Sequence, residues 1–71
     1  MNLPGDDYPV LRYFEWEHLR PDLSEVSRPF AVLAWDLANK LPVGPETAVC
    51  LRKLLESKDA AVRSALDSPE A

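Results

Sequence analysis

The sequence predicts an all-α fold: an antiparallel hairpin of two helices preceded by an extended N-terminal arm, assembling into a symmetric homo-oligomer. Three observations carry this expectation. Apolar residues recur at spacings of three and four from Leu23 onward; the stretch "LPVGP" interrupts that pattern once; and 71 residues with 46% hydrophobic content make one small domain. A core of that size supplies only a few kcal/mol, so self-association is expected.

Residues 1–20 read as the arm. Pro4 and Pro9, followed by Pro21, interrupt this region, and "VLRYFEWEH" mixes aromatics and charges in partial alternation, which predicts extended chain with at most a short strand. Tyr8, Tyr13, Phe14 and Trp16 lie here. Their ordinary role is a hydrophobic lid over the open end of the hairpin; their functional one is to offer a π-face to a base, a contact worth about 1–3 kcal/mol.

Helix one is expected over 21–41. Leu23, Val26, Phe30, Leu33 and Leu37 form its seam, with Ala34 and Leu41 beside it, and Pro21 suits the first turn. Pro29 falls inside the pattern and removes the hydrogen bond to the carbonyl of Glu25, which predicts a kink or break there. Val32 and Trp35 project opposite the seam and offer apolar surface to another copy. Phe30, Leu33 and Leu37 should meet Leu51 and Leu55 in a shared core.

Helix two is expected over 45–66. Pro42 and Gly44 make the turn, Pro45 takes the first helical position, and Glu46 sits in the favourable first turn. Its apolar stripe is Ala48, Leu51, Leu54, Leu55, Ala61, Val62 and Ala65; the final "DSPEA" is expected to fray. A short turn between two amphipathic helices gives an antiparallel pair.

Charge narrows the function classes. The net charge is −4, and residues 1–25 hold six acids against Arg12 and Arg20, enough to account for all of it. A polymeric nucleic acid needs a basic surface, so a general nucleic-acid coat is disfavoured. Residues 52–63 are the exception, with four bases against Glu56 and Asp59; an anion site belongs there. No apolar run approaches the roughly 20 residues of a membrane span. The start "MNLPGDDYPV" lacks the basic and apolar regions of a signal peptide, and one cysteine, Cys50, makes no intrachain disulfide. Together these predict a cytoplasmic protein.

An enzyme needs a nucleophile with a base, or a metal cluster. The chain offers one histidine, His18, and Cys50 on different elements, so no catalytic residue, metal ligand or cofactor is expected. His18 reads as an arm histidine or as a group that stacks on a base, and Cys50 as a small half-buried hydrophobe.

The basic residues divide by their neighbours. Arg52 has Glu56 at i+4 and Arg63 has Asp59 at i−4, so both are expected in surface ion pairs, while Lys53 reaches Glu56 only at i+3. Lys58 lies in the apolar stripe with Leu54, Leu55, Ala61 and Val62 three and four positions away, so no acid of its own helix is expected to pair with it. An unpaired buried ammonium costs several kcal/mol. Three escapes are open: the ammonium snorkels to water, it meets Glu25 or Asp22 of the neighbouring helix, or it faces an anionic ligand at a protomer boundary.

The second half, "LPVGPETAVCLRKLLESKDAAVRSAL", together with the preceding "EVSRPFAVLAWDLANKL", resembles the hairpin of small phage-encoded proteins that act as sponges for cyclic nucleotide signals and oppose the bacterial CBASS and Thoeris defences. It is similar also to short proteins of actinobacterial phages and prophages that share segments in the style of "VSRPF" and "LRKLLESKDAAVR". The resemblance covers about 50 residues. It implies a helical hairpin, symmetric assembly, and sequestration without cleavage of a cyclic oligonucleotide or cyclic ADP-ribose-type signal in the cytoplasm of the infected cell. On that resemblance the ligand would meet Arg52, Lys53, Lys58 and Arg63, Thr47 in the first turn, and Tyr13 or Trp16 in the arm. The acidic arm "YFEWEH" departs from what a phosphate site prefers. The alternative from another class is a small helical oligomerisation or protein-interaction module with no nucleotide ligand.

Overall fold

The computed structural model describes residues 7–67; the first six residues and residues 68–71, the rest of the "DSPEA" tail expected to fray, lie outside the described residues. Three helical elements follow one another: a 3-10 helix at Pro9–Phe14, α1 at Pro21–Lys40 and α2 at Pro45–Leu66. Each packs against the other two.

The arm is the first correction. Residues 9–14 are not extended: Pro9 opens a 3-10 helix, and the Leu11 N–H donates to the Tyr8 carbonyl at 3.0 Å. In a 3-10 helix residues three apart eclipse one another, so Tyr8, Leu11 and Phe14 share one side. All three are buried, Leu11 and Phe14 almost completely. Their side chains, not a strand's backbone hydrogen bonds, hold the segment onto the hairpin. It therefore runs along the hairpin instead of capping its open end. At the closed end the Tyr8 hydroxyl accepts from the Gly44 N–H at 3.1 Å; at the open end the Trp16 carbonyl accepts from Ser24 Oγ at 3.0 Å and from the Leu19 N–H at 3.1 Å.

α1 starts where Pro21 supplies a pre-set φ and needs no N–H partner. Arg20 and Asp22 close a two-pronged pair at 3.2 and 3.0 Å, which holds the Asp22 carboxyl below its ordinary pKa. The helix continues through Pro29 without a break. Pro29 and Glu25 both face solvent, so water can serve the Glu25 carbonyl that the missing N–H leaves without a partner.

The second correction concerns which face of α1 is inside. Ser27, Ala31, Ala34 and Ala38 are buried, whereas Leu33 is 44% exposed and Phe30 only packs at the margin of the core. The expected seam lies one position to the side. Small residues line the buried face because two elements, the 3-10 helix and α2, both press against it. α2 contributes Leu51, fully buried, with Leu54 and Leu55 at the margin. Val32 and Trp35 are exposed. The turn is held by Thr47, whose Oγ1 donates to the Pro42 carbonyl at 2.7 Å, and by Pro45 at the first position of α2. No helix among the described residues is long and apolar enough to cross a membrane.

Candidate anion-binding clefts

Packing the 3-10 helix against α2 leaves two clefts with Arg12 and Tyr13 common to both. The first, about 560 Å³, is lined by Tyr8, Val10, Arg12, Tyr13, Val49, Arg52, Lys53 and Leu55, with Asp7 as its acid. The second, about 430 Å³, is lined by Arg12, Tyr13, His18, Leu19, Lys58, Val62 and Arg63, with Glu15 and Asp59. Both fall within the range of small-ligand sites.

Five of the chain's eight lysines and arginines thus border these two clefts. The other three are engaged elsewhere: Arg20 with Asp22, Lys40 with Asp36 at 2.9 Å, and Arg28 over the Trp16 ring at 5.3 Å. The basic face is concentrated on a chain that is acidic overall. Such segregation raises the local concentration of anions.

The ion pairs differ from the sequence expectation in an informative way. Lys58 is the base that pairs: its Nζ stands 3.0 Å from Asp59 Oδ1, although its side chain is only 13% exposed. Neighbours in sequence point about 100° apart on a helix, but the lysine stem is long enough to lie along the apolar surface and turn its ammonium back to the adjacent carboxylate. Arg52, Lys53 and Arg63 make no ion pair among the described residues. The expected Arg52–Glu56 and Arg63–Asp59 pairs do not form, and those guanidinium groups remain available.

Tyr13 and Arg12 act together. Arg12 Nη2 donates to the Tyr13 hydroxyl at 2.9 Å and the guanidinium carbon lies 5.0 Å from the ring centroid. The hydrogen bond to Tyr13 raises the Arg12 pKa above its ordinary value, and a guanidinium is permanently charged in any case. Tyr13 is 53% exposed and keeps ring surface for a ligand.

Of the residues singled out in the sequence, the structure brings Tyr13 together with Arg52 and Lys53 in one cleft and with Lys58 and Arg63 in the other. It places two apart. Thr47 is buried at the turn with its hydroxyl given to Pro42, and α2 rises about 16 Å between positions 47 and 58. Trp16 lines a different groove, between the 3-10 helix and α1, beneath Arg28. Arg12 is the residue that sequence reasoning missed. Its signal was adjacency to Tyr13 in "LRYF", which acquires meaning only once the segment is helical and its outward side faces α2. Among the described residues no group of three or more His, Cys, Asp or Glu side chains is placed to hold a metal ion. Cys50 is a free, half-buried thiol.

No family model, curated protein or solved structure matches this chain.

Proposed function

We propose that this protein binds and sequesters a cyclic nucleotide signal without cleaving it, and that it does so as a phage counter-defence protein in the cytoplasm of the infected cell. The observation that carries the reading is the Arg12–Tyr13 ridge, an exposed aromatic ring with a permanent cation against it, flanked on both sides by cations of α2. A nucleotide presents a base and a phosphate a few ångströms apart. Tyr13 offers the stacking surface, and Arg52, Lys53, Lys58 and Arg63 offer charge-assisted hydrogen bonds to phosphate. The resemblance of "LPVGPETAVCLRKLLESKDAAVRSAL" to cyclic-nucleotide sponges points the same way. Each cleft is open, so the proposal includes a homo-oligomer in which a second copy covers it, with exposed Val49 in the lining of the first cleft as apolar surface for that contact.

The experiment is calorimetric titration of the purified protein with cyclic dinucleotides, cyclic trinucleotides and cyclic ADP-ribose, followed by chromatography of the recovered ligand. The expected result is saturable binding of at least one and its recovery unchanged. Tyr13→Ala should weaken it by about tenfold, within the range of one stacking contact. Lys58→Met, which keeps the stem's packing, should weaken it comparably while leaving the melting temperature close to that of the parent. No binding across the panel, or unaltered affinity in both folded variants, would refute the proposal.

A further inference from the structure

The 3-10 helix has a second flank with the opposite chemistry. Between it and α1 runs a groove of about 580 Å³ that contains both tryptophans of the chain, Trp16 and Trp35, together with Val32, and is edged by Glu15 and Glu17. We propose that this groove docks a cationic amphipathic segment of a partner protein, whose arginine or lysine side chains meet the indole rings and the two carboxylates while an apolar side chain covers Val32.

Charge complementarity is the first argument. Glu15 and Glu17 are exposed and make no ion pair among the described residues. Arg12, the one cation in the lining, is turned to Tyr13, with its hydrogen bond at 2.9 Å. The lining thus sets two carboxylates against one guanidinium, a net negative edge beside an apolar floor.

The second argument is the aromatic pair. Tryptophan is the strongest π-face for a cation and is over-represented among the residues that dominate binding energy at interfaces. Trp16 already holds a guanidinium, that of Arg28, at 5.3 Å from its ring. Trp35 is 40% exposed and Val32 60% exposed, an expense of apolar surface that a docked segment would remove.

A second copy of the chain fits less well. A two-fold contact through this groove would set the Glu15 and Glu17 of one protomer against those of the other, and like charges at an interface are unfavourable. Arg12 and Glu15 also border the second anion cleft, whereas Glu17, Val32 and the two tryptophans belong to this groove and to neither cleft.

Both tryptophans line the groove, so the intrinsic emission of the full chain reports its occupancy directly. The probe is a synthetic amphipathic peptide of leucine and arginine at helical spacing, with the same peptide carrying glutamate for arginine as control. The arginine peptide should change the emission saturably, more weakly as salt is added, and the glutamate peptide should not. The double variant Glu15→Gln, Glu17→Gln should bind the arginine peptide about fivefold less tightly, the loss of two exposed pairs, with unchanged melting because both side chains face solvent. Val32→Ser should also weaken it without altering charge. Equal response to both peptides, or undiminished affinity in these variants, would overturn the proposal. So would emission that depends on protein concentration with no peptide present, which marks a second copy in the groove.

Discussion

Replacing Phe14 by alanine tests whether the N-terminal segment is an appendage or part of the fold. Phe14 is fully buried, and it belongs to a core that otherwise consists of Tyr8, Leu11, Leu51 and three alanines. Truncating a buried phenylalanine costs about 3–5 kcal/mol through lost transfer energy and the cavity left behind. A chain of this length has a total stability of roughly 4–10 kcal/mol. The change should therefore remove a third or more of it, lowering the melting temperature by at least about 12 °C. Urea unfolding followed by circular dichroism is the assay, with parent and variant at one protein concentration because self-association would shift both. Phe14→Leu, a milder truncation, provides a folded intermediate if alanine abolishes folding. A loss below about 1 kcal/mol in Phe14→Ala would refute the docked 3-10 helix and restore a free arm.

Three further substitutions check which side chains face the core. Leu51→Ala should cost about 2–5 kcal/mol, whereas Leu33→Ser, at a position 44% exposed, should change stability by no more than about 1 kcal/mol; comparable losses by thermal unfolding would return the seam to the leucines. Ser27 Oγ is buried with no hydrogen-bond partner, so Ser27→Ala should stabilise by about 1 kcal/mol, and a lower melting temperature would mean that the hydroxyl has a partner in solution.

The two long helices were legible in the sequence because their signals are local. Pro21 and Pro45 occupy first helical positions, "LPVGP" supplies the turn, and each apolar stripe holds for about 20 residues. The inward face of α1 was less legible, since large residues at 30, 33 and 37 outweigh Ala31, Ala34 and Ala38 in any hydrophobic pattern. Closeness of approach, not size, decided which row is buried. The 3-10 helix was legible in principle: Tyr8, Leu11 and Phe14 repeat every three residues. That period is short and interrupted by Arg12 and Tyr13, so partial alternation described the stretch equally well. At the site, the bases of α2 were legible by charge segregation. Their partners were not, because Lys58 reaches Asp59 by the flexibility of its stem, which spacing rules omit.

The same short helix fills the core and forms a wall of every cleft discussed, and this ties binding to folding. Burial of Leu11 and Phe14 contributes about 1.5–3 kcal/mol each. Undocking the segment while the hairpin persists would thus cost about 3–6 kcal/mol, leaving less than about 1% of molecules with Arg12 and Tyr13 away from α2. A ligand of the clefts meets a preformed wall, and the observed affinity is the intrinsic one, since it is divided by a competent fraction close to unity. Weakening the core changes this only past a threshold. Phe14→Leu should leave ligand affinity nearly untouched, because the docked state stays dominant. Phe14→Ala costs about 3–5 kcal/mol once the cavity is counted, comparable to the whole docking energy, so affinity should fall even though no residue of either anion-binding cleft has been altered.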